Sequence, residues 1–218
     1  MYAMNLDLTN RICFVIGGGQ VAFRKILPLI ESGAIVKIIA PEVCDEIREL
    51  ESKVQWIQQK FSEEILTHGR LFFAATNDPS INDRASKIAR EFGMLVNNAT
   101  NPDDSDFSVP SIIRRKNFQL AISTNNLSPA FSRFIRQKLE SEFPESISEF
   151  LEKLHLIRKE TRSKIPKSED RIKFWRDLFE SQGDQILKLL KQGNIDQAEE
   201  ICKYALDLHG SQSSNGLD

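Results

Sequence analysis

Three cysteines in 218 residues, none spaced as C-x-x-C, leave neither a zinc ribbon nor a dithiol redox motif. Cys13, Cys44 and Cys202 are isolated and odd in number, which suits a reducing cytoplasm. Cys13 sits inside an apolar run and reads as a small buried hydrophobe. No apolar stretch approaches the ~18 residues that a membrane-spanning helix needs. The start, Met1 to Asp7, has no basic segment ahead of an apolar one, so no secretory signal is read there. Charge of one sign is missing too. The formal net charge of −2 gives no reason to expect nucleic acid or a membrane surface as partner. There is no internal repeat. What remains is 40% apolar and 28% charged, an ordinary globular composition. The length suits one large domain or two small ones.

The most informative stretch runs from Ile12 to Lys25. Apolar residues Ile12 to Ile16 lead straight into Gly17-Gly18-Gly19, and Ile26, Leu27, Leu29 and Ile30 then give an amphipathic helix. Gly17, Gly19 and Ala22 match the dinucleotide fingerprint G-x-G-x-x-G/A. The first glycine permits the turn, the second admits a pyrophosphate, and the small third residue lets helix and strand pack closely. The phosphates would lie at the helix N-terminus, beside Gln20 and Val21. The bland alternative is a glycine-rich strand-to-helix turn. Context favours the ligand: Gly33 stops the helix, and Ala34 to Ala40 supplies a second strand, completing a βαβ unit of about 30 residues. That strand ends in Pro41-Glu42. Glu42 reads equally as a ribose partner or as a solvated loop acid. No arginine stands there for a 2′-phosphate, so NAD is favoured over NADP.

Further along, Cys44 to Lys53 reads as a short charged helix and Val54 to Gln58 as a strand. Leu71 to Thr76 is a buried strand, Pro79 to Phe92 a helix stopped by Gly93, and Met94 to Ala99 a strand. The alternation predicts an α/β, Rossmann-type parallel sheet in residues 1–110, with Thr76 and Asn77 at its ligand-binding carboxyl edge. Asn77 reads as a contact for the nicotinamide side or as a plain turn former. After Pro110 the pattern changes. Ser111 to Arg115 and Phe118 to Thr124 form two strands around Lys116-Asn117. Ser128 and Pro129 then cap a helix bearing Phe131, Phe134, Ile135 and Leu139 on one side. Residues 111–143 are expected as a small α+β dimerisation domain and 144–210 as a helical domain, with a helical stripe at Ile147, Phe150, Leu151, Leu154 and Ile157, and with Ile172, Phe174, Trp175, Leu178 and Phe179 marking another helix. The polar residues 211–218 read as a disordered tail.

Two more constellations could carry chemistry. Asp103, Asp104 and Asp106 follow the strand ending near Ala99, and could supply a base or a metal ligand, or form a solvated turn. Ser123 to Pro129, leading into Arg133 and Arg136, forms an anion site or routine capping beside a solvated helix face.

In order, Gly17-Gly18-Gly19-Gln20-Val21-Ala22-Phe23-Arg24-Lys25, Ala74-Ala75-Thr76-Asn77-Asp78, Val109-Pro110-Ser111-Ile112-Ile113 and Ala121-Ile122-Ser123-Thr124-Asn125-Asn126-Leu127-Ser128-Pro129 resemble the precorrin-2 dehydrogenase family of siroheme synthesis, including the amino-terminal module of siroheme synthases. The likeness runs from about Asn5 to Phe143 and more loosely to Lys173-Phe174-Trp175. It implies a cytoplasmic homodimer that uses NAD to oxidise precorrin-2 to sirohydrochlorin. It implies a cofactor site at Gly17, Gly19, Gln20, Val21, Ala22, Pro41, Glu42, Thr76 and Asn77. A substrate rich in carboxylates would meet Arg114, Arg115, Asn125, Ser128, Arg133 and Arg136. The chain ends where a fused methyltransferase begins in the longest members, so that activity is expected to be absent. Family members often carry an aspartate where this chain has Thr100. The catalytic candidates are therefore Thr100, Asp104, Asp106 and Ser123, and no resident metal is expected. Some members also insert iron. The histidines offer little for that step: His155 in a helix reads as structural, His68 lies by a turn glycine, and His209 at the start of the tail. Ferrochelatase activity is expected to be weak, with a bifunctional enzyme as the alternative and a non-catalytic NAD(H)-sensing module as a distant one.

Overall fold

In a computed structural model, residues 2 to 214 are described, with side chains to His209. The chain divides into two compact units at Val109 and Pro110.

The first unit is a five-stranded parallel sheet of order β3-β2-β1-β4-β5. Its strands are β1 (Ile12–Ile16), β2 (Ile35–Ile39), β3 (Val54–Ile57), β4 (Leu71–Ala74) and β5 (Leu95–Asn98). The apolar runs are continuous because both faces are covered. Side chains alternate across the sheet. Cys13, Val15, Val36, Ile38 and Phe73 pack with Ala22, Ile26 and Leu29 of α1 (Gln20–Glu31). Phe14, Ile16, Phe72, Ala74 and Val96 pack with Ala85, Ile88 and Ala89 of α3 (Pro79–Glu91). Burial raises the Cys13 thiol to about 11, as befits a core hydrophobe. Gly33 and Gly93 end α1 and α3 at φ of +73° and +74°.

The helix expected over Cys44 to Lys53 is shorter. One turn, α2 (Asp45–Arg48), precedes a 3-10 turn at Glu51–Lys53. Ile47 is its only buried residue, too little packing to sustain a longer helix. Strand β4 ends at Ala74, before Thr76, because the Thr76 N–H donates to the Asn82 side chain instead of a strand partner.

The second unit opens with an antiparallel hairpin, β6 (Ser111–Arg115) and β7 (Phe118–Ile122), pairing Arg115 with Phe118. Helix α4 (Pro129–Glu140) packs on it. Helices α5 (Ser146–Lys164), α6 (Ser168–Lys191) and α7 (Ile195–Ser214) pack on one another around Phe150, Ile157, Phe174, Leu178, Ile186, Leu190, Cys202 and Leu206. Of the apolar residues that mark α6, Ile172 is 66% exposed and Phe179 41%. The inward line instead runs through Phe174, Leu178, Ile186 and Leu190, at whole-turn intervals. Of the tail expected over residues 211–218, the part to Ser214 belongs to α7, and residues 215–218 lie outside the described residues.

Candidate active site

The turn between β1 and α1 is glycine at three positions for different reasons. Gly17 adopts φ +103°, and a Cβ there would stand 2.3 Å from the Ala75 carbonyl oxygen. A Cβ on Gly18 would stand 2.0 Å from the Glu42 oxygen, and the Gly18 carbonyl accepts from the Cys44 N–H at 2.7 Å. The protein's own backbone therefore excludes side chains at both. Gly19 has an ordinary φ of −91°, and a Cβ there would meet nothing within 4 Å. No internal contact explains it, whereas a ligand approaching the backbone does.

Gly19 also caps α1, with no side-chain cap and no acid in the first turn. The leading N–H groups of α1 have no acceptor within the helix. Helix α3 differs: Asp78 accepts from the Ser80 and Ile81 N–H groups, at 2.9 and 3.4 Å. The Ser80 hydroxyl, donating at 2.6 Å, and then these two N–H groups hold the Asp78 carboxyl below its usual pKa. Only the α1 terminus of this pair remains available to an anion. Ala22 is buried against the sheet, as the third fingerprint position requires, and Val21 is exposed. Gln20 donates to the Glu46 carboxylate at 2.6 Å, tying α1 to α2. Pro41 and Glu42 are exposed at the end of β2, where the Trp56 indole N–H binds the Ala40 carbonyl at 2.9 Å. These residues fit a dinucleotide: open space beside Gly19, uncapped donors and an exposed acid at the end of β2.

The loops leaving β4 and β5 share one buried amide. Asn82 of α3 is wholly buried. Its Oδ1 accepts from the Thr76 N–H and hydroxyl, at 3.1 and 2.7 Å. Its Nδ2 donates to the Thr76 carbonyl and to the Thr100 hydroxyl, both at 3.0 Å. The Thr100 hydroxyl donates to the Asn98 Oδ1 at 2.9 Å, and Asn98 reaches Asp83 at 2.8 Å. Thr76 and Thr100, candidates from two different strands, are thus joined through Asn82, while Asn77 is exposed. Asn82 and Glu46 emerge only in three dimensions: helical spacing marks one as just another polar position and the other as one acid among several.

Asp104 and Asp106 both bind one arginine. Arg90 binds Asp106 through Nε at 3.2 Å and Asp104 through Nη1 at 3.2 Å, and also reaches the Asp104 carbonyl. Asp106 further accepts from the Val96 N–H at 2.8 Å. Both carboxylates anchor the loop to α3 and β5.

In the second unit, Asn125 and Asn126 are consecutive left-handed residues, at φ +51° and +65°. Such strain in non-glycine residues gathers at functional loops. The Asn125 N–H donates to the Ser123 hydroxyl at 3.1 Å, so Ser123 shapes this turn. Ser128 caps α4, accepting from the Phe131 N–H at 3.3 Å, and its own N–H donates to Thr124 Oγ1 at 3.0 Å. Among the arginines, Arg115 is a correction. Only 11% exposed, it donates to the Phe143 and Glu140 carbonyls at 2.9 and 3.3 Å and so fastens the end of α4. Arg136 pairs with Glu140 one turn on. Arg114 reaches Gln119 across the hairpin at 3.4 Å. Arg133 is exposed and has no ion pair among the described residues.

A family model for NAD(P)-binding domains matches residues 4–111. A siroheme synthase of Actinobacillus pleuropneumoniae serotype 3 is 33% identical over 203 residues, which are 92% of this chain and 41% of that protein. A siroheme synthase of Zymomonas mobilis is 35% identical over 175 residues, 79% of this chain and 37% of that protein. The chain thus spans about two fifths of the length of these relatives. Among solved structures, SirC, a precorrin-2 dehydrogenase, shares 30% identity and a TM-score of 0.69 over 92% of this chain and 100% of its own. With a nicotinamide dinucleotide as the cofactor that the first unit fits, the chain belongs to the family of precorrin-2 dehydrogenases and siroheme synthases.

Proposed function

We propose that this chain oxidises precorrin-2 to sirohydrochlorin with NAD, as a cytoplasmic homodimer. The open space at Gly19 beside an uncapped helix carries the cofactor half of the reading. When bound, the nicotinamide supplies the acceptor for the hydride leaving the macrocycle. The chain does the holding. The N–H groups at the start of α1 take the pyrophosphate, with Gly17 and Ala22 shaping the turn. Glu42, in the loop after Pro41, takes the ribose hydroxyls, which favours NAD over its 2′-phosphate relative. Thr76 and Asn77 face the nicotinamide end from the carboxyl edge of the sheet, with Thr100 tied to Thr76 through Asn82. Arg114, Asn125, Ser128 and Arg133 meet the substrate's carboxylates. Oxidation removes one hydride and one proton. With Asp104 and Asp106 held by Arg90, the proton leaves to water.

The dimer reading is supported by exposed apolar residues around α4. Leu127, in the loop before α4, is 89% exposed, and Phe131 and Phe134 on α4 are 54% and 48% exposed. Two strands and one helix bury little alone, and a second copy is the economical cover. A monomer mass by light scattering at micromolar concentration would overturn it. The cytoplasmic assignment rests on three free cysteines.

The activity is tested by mixing purified protein, precorrin-2 and NAD and following NADH absorbance. Steady formation of NADH is expected, several-fold faster than with NADP. An intact substrate that yields no NADH would end the dehydrogenase reading.

A further inference from the structure

Helices α5 and α6 enclose a cleft of about 230 Å³, lined by Arg158, Arg162, Ser168, Arg171, Ile172 and Trp175. Three of its six lining residues are cations and none is an acid. Arg158 and Arg162 stand one turn apart on α5, an arrangement that repels unless an anion intervenes. Neither makes a hydrogen bond or ion pair among the described residues. Four other cations of these helices are matched: Lys153 with Asp196 and Glu199, Lys164 with Asp207, Arg176 with Asp177, Lys191 with Glu142. Arg171 spends Nη1 on the Ile165 carbonyl at 2.9 Å and on that of Pro166, which fixes the guanidinium at the cleft.

The other wall is apolar and does not stop at the cleft. Ile172 and Trp175 continue into Phe179, an i, i+3, i+7 strip along α6. The Trp175 and Phe179 rings lie 6.0 Å apart and 22° from parallel. Ile172 and Phe179 are both exposed. A bare oxyanion would satisfy the arginines and leave this strip uncovered. A flat apolar ring carrying carboxylate arms would use both.

The geometry points to a tetrapyrrole-docking site on the helical unit, in which Arg158, Arg162 and Arg171 bind carboxylate arms and the Ile172–Trp175–Phe179 strip carries the ring. It draws on the substrate class proposed above, but on none of the residues assigned to that site. Uroporphyrin, a stable macrocycle with eight carboxylates, is a suitable probe. Its binding to the full chain is measured by calorimetry at fixed ionic strength, for the native protein and for Arg158→Gln/Arg162→Gln. A matched variant, Arg176→Gln/Lys188→Gln, removes two charges from α6 outside the cleft. Both cleft arginines are exposed, so their neutral variant should fold, as its Tm will show.

At least a tenfold loss of affinity is expected in the cleft variant, against less than twofold in the matched one, with NAD affinity unchanged in both. Equal losses in the two would overturn the site, since net charge alone would then explain them. Inorganic phosphate is titrated in parallel. Phosphate binding as tight as uroporphyrin, with the same dependence on the two arginines, would make this a simple oxyanion site and overturn the docking of a ring. The two readings fail separately. NADH formation without arginine-dependent uroporphyrin binding sinks the docking site alone. Arginine-dependent binding without NADH sinks the dehydrogenase alone.

Discussion

At the level of single residues, three adjacent glycines make opposite predictions. An alanine at Gly17 would need φ +103° and would drive its Cβ to 2.3 Å from a backbone oxygen, so Gly17→Ala should cost about 2–4 kcal/mol of stability. Gly19 has neither obstacle. Gly19→Asp should leave Tm within a few degrees yet weaken NAD binding by roughly a hundredfold, because bulk and negative charge enter where the phosphates lie. Calorimetry with NAD and thermal unfolding, run on both variants, test this together. NAD binding undiminished in Gly19→Asp would mean that the open space at Gly19 is not the cofactor's. The sequence shows the glycine triplet but not this division of labour, because the obstructing atoms belong to Ala75 and Glu42, far along the chain.

Among elements, α3 links the two strand-end loops, and Asn82 is how it does so. All its amide valences go to Thr76 and Thr100. Asn82→Ala should cost about 2–4 kcal/mol, since it strands half-buried polar groups. It should also raise KM for NAD more than it lowers kcat, because Thr76 loses its tether. Ser86, one turn on, is the contrast: its buried hydroxyl has no partner among the described residues, so Ser86→Ala should be neutral or stabilising. An NAD KM as unmoved in Asn82→Ala as in Ser86→Ala would deny the tether a role in binding. The strands and helices of this unit were readable because each apolar run is long and each helix is punctuated by Gly or Pro. Elements lacking those marks were not. The helix α2 carries one buried residue, and the apolar residues of α6 do not tell which face turns inward, since Ile172 and Phe179 are exposed. The side chains that act through space were hidden as well. Arg115 looks like a substrate cation in sequence and closes off α4 in the fold. Asp104 and Asp106 look like solvated acids in sequence, and only the fold shows Arg90 between them.

For the whole molecule, the open question is iron. Inserting a metal into a tetrapyrrole requires a base for the pyrrole protons and, commonly, a transient ligand for the ion. The described residues contain no group of three His, Cys, Asp or Glu side chains placed to hold a metal. His68 is turned to the Phe92 carbonyl at 3.4 Å, with its ring 6.0 Å from that of Phe92. His209 lies against Phe174 with ring centres 5.5 Å apart, and His155 is exposed on α5. Thr100 stands where the family resemblance implies a carboxylate, and a hydroxyl bound to Asn82 and Asn98 is a poor substitute for a base. Asp104 and Asp106 would first have to leave Arg90. Hydride removal is less demanding, since its proton can pass to water. Dehydrogenation should therefore dominate, with metal insertion no faster than a few times the protein-free rate. Sirohydrochlorin with cobalt, followed by its spectrum against a protein-free control, decides the matter. Fast, saturable insertion would refute the expectation, and its loss in Asp104→Ala or Asp106→Ala would show that the Arg90 clamp opens to release a working carboxylate.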